Sequence, residues 1–165
     1  MNRAIRVLHL EDDPDYCDFV KALLQTEGIE AQVVLASNRS AYEAALETEE
    51  LDLIIADFLL PGYDGLQALQ TARTKCPRVP FLLVSGTIGE QAAIESLKTG
   101  ATDYILKIWP DRLIPAIRRA LKESQESRER RRIETEFLKR EHYYRALTEN
   151  ALDILTTMNA EGMLL

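Results

Sequence analysis

The sequence contains few of the residues that mark several common classes of protein. Its two cysteines, Cys17 and Cys76, belong to no CxxC pair and have no neighbouring histidine, so neither a zinc site nor a disulfide framework is indicated. Apolar runs are short, and the first one meets Glu11 after only four residues, so we expect neither a signal peptide nor a membrane span. Twenty basic against 27 acidic residues give a net charge of −7, which disfavours nonspecific nucleic-acid binding. This composition predicts a cytoplasmic protein whose present region binds neither nucleic acid nor membrane.

The apolar residues fall in five short runs, and a stretch of helical periodicity follows each of them. The predicted strands are residues 4–10, 29–36, 51–56, 81–84 and 104–106. Regular alternation of strands and helices predicts an α/β fold with a parallel sheet and right-handed crossovers. We therefore predict a flavodoxin-like (βα)5 doubly wound sheet of strand order 2-1-3-4-5, with a C-terminal helical extension.

Capping residues mark several of the predicted helix ends. Asp13 and Pro14 suit the N-cap and the first position of the first helix, and Gly28 suits its carboxyl end. Either Ser37 or Asn38 begins the second helix. Asp13 is therefore interpreted as a helix cap and is left out of the predicted site.

Within the third stretch, residues 51–65, an uninterrupted apolar run from Leu53 to Ala56 ends at a carboxylate, Asp57. So continuous a run predicts a central parallel strand covered on both faces. A carboxylate at the carboxyl end of such a strand lies where open α/β sheets bind ligands. Taken alone, Asp57 is better explained as a residue that caps the loop through Pro61, Gly62 and Gly65.

Two further carboxylates, Glu11 and Asp12, follow the first predicted strand. In the order 2-1-3-4-5 the first and third strands are neighbours, so Glu11, Asp12 and Asp57 are expected to converge on one crevice. Carboxylates about 5 Å apart repel by roughly 3 kcal/mol per pair at an effective dielectric constant near 20. Such an arrangement implies a bound cation, and a set of oxygen ligands suggests Mg²⁺.

These motifs, with Ser85 after the fourth strand and Lys107 after the fifth, resemble the receiver domain of two-component response regulators over residues 3–122. The resemblance implies that Asp57 is the phosphoacceptor and that Ser85 and Lys107 assist the transfer. It also implies that Tyr104 is a switch aromatic residue. The metal set it implies is Asp12, Asp57 and the backbone carbonyl of Leu59 as direct ligands to Mg²⁺, with Glu11 acting through water.

Phosphoryl-transfer chemistry agrees with these roles. Asp57 must attack phosphorus in line while charge gathers on the equatorial oxygens, so an ammonium such as Lys107 lowers the barrier electrostatically. Ser85 can donate its hydroxyl to a phosphoryl oxygen, and Gly86 leaves room for the group. No residue is identified as a base that activates water, so the acyl phosphate is expected to persist. The domain would then catalyse only its own phosphorylation and slow dephosphorylation, without being an enzyme otherwise.

Other interpretations of the same residues exist. Taken in isolation, Ser85 could be an ordinary hydroxyl residue of a loop and Tyr104 an aromatic residue on an edge strand. Lys107 could be a solvated residue at the end of a strand. His9 lies between two leucines of a buried strand, so we interpret it as a satisfied core histidine rather than a phosphohistidine. The sequence also departs from the family, because Ile108 stands where a proline usually follows the lysine. We expect a trans peptide there and an altered loop into the fifth helix.

The sequence beyond the receiver region divides into two parts. Residues 123–143 begin with a charged stretch lacking glycine and proline, which predicts a linker or signalling helix. Residues 144–165 resemble the start of a PAS domain, with a short helix, a strand at residues 154–158 and a turn at residues 160–162. The predicted organisation is a receiver domain at 1–122, a linker helix at 123–143 and a truncated PAS domain at 144–165.

The leading functional hypothesis is a phosphorelay switch that feeds a PAS-containing output protein. Its partners would be a histidine kinase or a histidine phosphotransfer protein. A second copy could pair through the C-terminal helix or through the face of the fourth helix, fifth strand and fifth helix. A degenerate receiver that only binds proteins is the alternative, although Asp57, Ser85 and Lys107 are all intact. A haloacid-dehalogenase enzyme requires an aspartate where Leu59 stands, and a flavodoxin requires a phosphate-binding loop in place of the acidic one.

Overall fold

The computed structural model describes residues 3–48, 50–87 and 89–156, with side chains described as far as residue 148. The chain divides into two compact units, Met1–Ser124 and Gln125–Leu165. The helices are α1 (Pro14–Thr26), α2 (Arg39–Thr48), α3 (Gly65–Lys75), α4 (Glu90–Thr99) and α5 (Leu113–Thr156). The strands are β1 (Ile5–Leu10), β2 (Ala31–Ala36), β3 (Leu53–Asp57), β4 (Leu59–Leu60), β5 (Tyr63–Asp64), β6 (Phe81–Ser85) and β7 (Asp103–Leu106).

The main sheet has five parallel strands in the order β2-β1-β3-β6-β7. Counted over these five strands alone, this is the predicted flavodoxin-like order 2-1-3-4-5, and the fold prediction is confirmed. The remaining strands, β4 and β5, form a small antiparallel hairpin that the sequence did not predict. Each has two residues, which is too short to show the alternation by which a strand is recognised.

The central strand β3 is buried at every residue. Ile54 and Ala56 belong to a core that includes residues of α2 and α3, whereas Leu53 and Ile55 belong to a second core with residues of α1 and α5. Because successive side chains of a strand point to opposite faces, an apolar run without alternation is needed to fill both cores. Asp57 ends this run, so its carboxylate lies at the carboxyl edge of the sheet.

The predicted capping residues are found at the helix ends. Asp13 accepts a hydrogen bond from the Asp15 N–H, and Pro14 begins α1. Gly28 follows that helix with φ of 68°, a left-handed conformation that glycine adopts without a steric penalty. Asn38 rather than Ser37 caps α2, since the Asn38 side chain accepts from the Ala41 N–H at 3.0 Å.

The helix that follows the sheet continues to Thr156. The strand predicted at residues 154–158 is therefore wrong for residues 154–156, while residues 157–165, including the predicted turn, lie outside the described residues. Ala151, Leu152 and Leu155 favour helix, and an existing helix is extended at far lower cost than a new element is nucleated. No helix among the described residues combines the length and apolarity needed to cross a bilayer.

Candidate functional site

Three carboxylates meet at the carboxyl edge of the sheet. β1 and β3 are adjacent and parallel with Leu10 opposite Ala56, so Glu11, the next residue, comes level with Asp57. Glu11, Asp12 and Asp57 can each present an oxygen atom within 4.8 Å of the other two. The strand order thus brings together the residues that the sequence singled out.

The ammonium of Lys107 lies between two of these carboxylates. Its Nζ donates to Glu11 Oε2 at 2.7 Å and to Asp57 Oδ2 at 2.9 Å. Lys107 reaches this position because β6 and β7 pair with Ser85 opposite Leu106, so the residue after β7 stands at the same edge. Burial tends to lower the pKa of Lys107, but the hydrogen bonds to Glu11 and Asp57 outweigh it and the pKa is raised.

Glu11 is almost completely enclosed, with 2% of its surface exposed. Both carboxylate oxygens are engaged, because Oε1 also accepts from the Asp13 N–H at 3.2 Å. Burial raises the pKa of Glu11 and the charge of Asp57 raises it further, while the Lys107 hydrogen bond opposes this shift. Asp12 is exposed, so the two neighbouring acids differ in accessibility.

The donor set fits a small divalent cation. Three carboxylates opposed by one ammonium leave two negative charges, which one divalent ion would balance. The side-chain donors are all oxygen atoms, which Mg²⁺ prefers. Leu59 follows Asp57 closely, and its N–H donates to Asp57 Oδ1 at 3.3 Å. A role for the Leu59 carbonyl as a ligand stays a prediction.

Ser85 is fully buried one residue beyond Val84, which pairs with Asp57 in the sheet. Its hydroxyl donates to the Thr87 carbonyl at 3.1 Å and accepts from the Thr87 N–H at 3.3 Å. Tyr104 is half-buried, packs its ring edge-on against Phe58 and donates its hydroxyl to the same Thr87 carbonyl at 3.3 Å. The structure therefore joins Ser85 and Tyr104 through Thr87, a residue that the sequence did not single out.

Two other residues of this region were missed by the sequence interpretation. The ring of Tyr16 lies beneath Lys107, whose Nζ is 4.2 Å from the ring centroid. Gly65 approaches the Asp57 loop so closely that a Cβ there would lie 2.8 Å from the Asp57 carbonyl oxygen. The sequence showed only that Tyr16 is an aromatic residue in the first turn of α1. The loop residues around Gly65 gave no sign of its close approach to Asp57.

His9 is buried as predicted, but it is not satisfied. Among the described residues neither ring nitrogen has a hydrogen-bond partner, and the ring meets Tyr16 edge-on with centroids 6.1 Å apart. Burial lowers the pKa of His9 to about 4, and the positive charge of Lys107 contributes to this shift. A neutral imidazole packed as an apolar ring agrees with the interpretation as a core residue.

The peptide bond before Ile108 is trans, as expected, since the described residues contain no cis peptide bond. Ile108 and Trp109 are exposed, and a short 3₁₀ turn at Pro110–Arg112 leads into α5. The Trp109 N–H donates to the Leu106 carbonyl at 2.9 Å, which closes a turn with Lys107 and Ile108 at its centre. The replacement of proline therefore leaves Lys107 in contact with Asp57.

Comparisons with known proteins agree with this geometry. A family model described as "Response regulator receiver domain" matches residues 7–118. The transcriptional regulatory protein ZraR of Escherichia coli (strain K12) is 35% identical over 104 residues, which are 62% of this chain and 23% of ZraR.

Two solved structures are also similar to this chain. NtrX from Brucella abortus has a TM-score of 0.71 at 30% identity, covering 79% of this chain and 30% of NtrX. A CheY-like receiver domain protein from Methanospirillum hungatei JF-1 has a TM-score of 0.69 at 28% identity, covering 76% of this chain and 99% of that one. The chain spans less than a third of ZraR and NtrX. Because the family model covers most of its residues, the chain belongs to the response-regulator receiver domain family.

Proposed function

We propose that this chain is a phosphorylation-controlled switch and that Asp57 is its phosphoacceptor. The observation that carries the proposal is the position of Lys107, whose ammonium contacts Asp57 and Glu11 together at the carboxyl edge of the sheet. An oxygen of the Asp57 carboxylate forms a bond to phosphorus while the bond from phosphorus to the donor's leaving group breaks. Membership of the receiver family supports this role.

Each neighbouring residue has a defined task in this proposal. Lys107 stays positively charged, because its raised pKa keeps the ammonium protonated, and it attracts the oxygens of the incoming phosphoryl group. Ser85 turns its hydroxyl from Thr87 to a phosphoryl oxygen. Receiver domains bind Mg²⁺ at an acidic pocket, and Asp12, Asp57 and, through water, Glu11 would hold it here. The ion would neutralise charge on the transferring group.

Response regulators interact with histidine kinases, so the proposed phosphoryl donor is a histidine kinase or a histidine phosphotransfer protein. Phosphohistidine would lose its P–N bond as Asp57 gains the P–O bond. The alternative is a degenerate receiver that binds a partner without phosphorylation. Intact Asp57, Ser85 and Lys107 favour the phosphorylated form, and the alternative predicts that none of them is needed for binding.

We also propose that the second unit carries the output toward a PAS domain. In this proposal the receiver domain occupies residues 1–122, a linker helix residues 123–143 and the beginning of a PAS domain residues 144–165. Within α5, exposed apolar side chains recur at spacings of four, seven and three residues, at Ile133, Phe137, Tyr144 and Leu147. This spacing suits pairing with a second copy in a coiled coil, although Arg140 interrupts the seam. The face formed by α4, β7 and α5 within the first unit is the other proposed dimer surface.

The proposal is tested by exposing the chain to acetyl phosphate with and without Mg²⁺ and measuring intact mass. One phosphate adduct is expected on the parent chain only with Mg²⁺, and none on Asp57→Asn. Asp64→Asn is the matched control, because Asp64 is also a carboxylate close in sequence but caps α3. An adduct of equal yield on Asp57→Asn would show that another residue accepts the phosphate.

A further inference from the structure

The ammonium of Lys107 has a third neighbour besides Glu11 and Asp57. Its Nζ lies 4.2 Å from the centroid of the Tyr16 ring, well inside the distance at which a cation is attracted to an aromatic face. Only 19% of the Lys107 side chain is exposed. Cation–π contacts are strongest at desolvated sites, so water weakens the attraction between Lys107 and Tyr16 only a little.

Two other aromatic rings lie close to Tyr16. His9 meets its ring at an interplanar angle of 60°, and Phe19 lies on the same helix with its centroid 5.7 Å away. Among the described residues the Tyr16 hydroxyl makes no hydrogen bond, so the ring and not the phenol group makes the contact with Lys107. Burial raises the pKa of Tyr16, and the charges of Glu11 and Asp57 raise it further, so the phenol stays neutral.

The three partners of Lys107 differ in what phosphorylation does to them. Asp57 gains a phosphoryl group, and both Glu11 and Asp57 belong to the carboxylate set proposed to hold the cation. Tyr16 has neither role, so its contact with the Lys107 ammonium can remain when Asp57 is phosphorylated and the cation is bound. A lysine side chain has several freely rotating bonds, and a contact that persists through the reaction limits the positions of its ammonium.

We propose that Tyr16 is a positioning residue that holds the Lys107 ammonium over its ring, in place to meet the phosphoryl group on Asp57. The inference rests on the proposed phosphoacceptor role of Asp57 and adds a residue to it. It predicts that the aromatic ring, and not the hydroxyl or the volume of Tyr16, matters for the rate of phosphorylation.

The contact itself is tested by NMR on the full chain without a phosphoryl donor. Protons held over an aromatic face are shifted upfield, so the ε-methylene protons of Lys107 are expected upfield of the other lysines. The shift should persist in Tyr16→Phe and disappear in Tyr16→Leu, with Phe19→Leu as the control that removes a neighbouring ring. An unshifted Lys107 in the parent chain would overturn the proposal. This readout does not depend on whether Asp57 accepts phosphate.

The effect on the reaction is tested by the initial rate of phosphate incorporation from acetyl phosphate at saturating Mg²⁺. Tyr16→Leu is expected to slow it about fivefold, which corresponds to ~1 kcal/mol of cation–π attraction. Tyr16→Phe and Phe19→Leu should stay within about twofold of the parent chain. If Tyr16→Leu does not fold, Tyr16→Met, which fills the space with an unbranched side chain, takes its place.

A double-mutant cycle separates positioning from packing. In a Lys107→Ala background, Tyr16→Leu should cause no further loss of rate, because the ammonium that Tyr16 holds is gone. A fivefold loss in that background, or a loss in Tyr16→Phe as large as in Tyr16→Leu, would overturn the proposal. If Asp57→Asn accepted as much phosphate as the parent chain while the Lys107 shift followed the Tyr16 ring, the phosphoacceptor assignment would fail and the contact would stand.

Discussion

The hydroxyl groups of Ser85 and Tyr104 donate to a single acceptor, the carbonyl oxygen of Thr87, at 3.1 Å and 3.3 Å. Ser85 lies at the end of β6 beside β3, the strand that ends at Asp57, whereas Tyr104 belongs to the edge strand β7. Any event that turns the Ser85 hydroxyl away leaves Tyr104 as the remaining side-chain donor to that oxygen among the described residues. The two side chains therefore form a direct link between the site and the edge of the sheet.

Beryllofluoride with Mg²⁺ mimics a phosphoryl group on Asp57. It is expected to turn the Ser85 hydroxyl away from the Thr87 carbonyl. A charged acceptor competes well with a neutral carbonyl for the Ser85 hydroxyl, because charge-assisted hydrogen bonds are the stronger ones. Amide resonances from Ser85 through Ile117 should shift, and association measured by analytical ultracentrifugation should change. NMR titration of the full chain checks the first result.

The matched variant for this experiment is Tyr104→Phe, which removes one hydroxyl and keeps the ring. Resonances at Ser85 and Thr87 should still respond to beryllofluoride, while the response in α4 and α5 should shrink. If the shifts stay confined to the loops around Asp57 even in the parent chain, the output does not travel through Tyr104. The opposite helix faces would then be the better candidates.

Removal of each of the two acidic residues that follow β1 should lower the magnesium affinity by a different amount. Both oxygens of Glu11 are held by Lys107 and the Asp13 N–H, whereas Asp12 is exposed and free to bind the ion directly. Glu11→Ala is expected to weaken binding on the order of tenfold, the cost of losing an outer-shell contact, and Asp12→Ala by more. The fluorescence of Trp109, the only tryptophan, follows the titration.

Asp15→Ala is the control for this comparison, since it removes an acidic residue from the first turn of α1 outside the carboxylate cluster. It should leave the magnesium affinity within about twofold of the parent value. A reversed order for Asp12 and Glu11 would mean that the direct ligand has been assigned one residue away from its true position.

The sequence predicted the parts of this molecule that depend on long patterns. The unbroken apolar run of β3 indicated a central strand, and the strand order then placed Glu11 beside Asp57. The β4–β5 hairpin was missed because it has two residues in each strand, and Thr87 because the group that joins Ser85 to Tyr104 is its backbone carbonyl. Tyr16 was missed because a ring beneath a lysine 91 positions away leaves no periodic signal.

Gly65 is expected to be intolerant of any side chain. A Cβ there would lie 2.9 Å from the Phe58 Cα and would also collide with Leu83, while the Gly65 N–H donates to the Phe58 carbonyl. Gly65→Ala must therefore displace the backbone just after Asp57, and we expect it to lower the free energy of unfolding by about 1–3 kcal/mol. Urea denaturation checks this value.

Gly86→Ala is the corresponding control, because a Cβ at Gly86 meets no atom within 4 Å. Its free energy of unfolding should stay within about 0.5 kcal/mol of the parent value. Equal stability of Gly65→Ala and Gly86→Ala would mean that the loop after Asp57 yields without cost, and the close approach of α3 would then have no structural role.

The stability of the fold should depend on pH through His9. Its pKa is lowered from 6.5 to about 4 by burial, so the unfolded chain takes up a proton at a higher pH than the folded chain does. Above pH 6.5 His9 is neutral in both states and contributes no pH dependence. As the pH falls from 6.5 to about 4, only the unfolded state gains the proton, and stability is lost by up to about 3 kcal/mol.

The contribution of His9 is isolated by comparing the parent chain with His9→Leu, because acidic residues also titrate in this range. The free energy of unfolding, measured by urea denaturation at several pH values, should fall more steeply below pH 6.5 in the parent chain than in His9→Leu. His142→Gln changes the only other histidine, which is exposed on α5. The free energy of unfolding of this variant should change with pH as it does in the parent chain. Parallel curves for His9→Leu and the parent chain would mean that the buried imidazole accepts its proton as readily in the folded state as in the unfolded one.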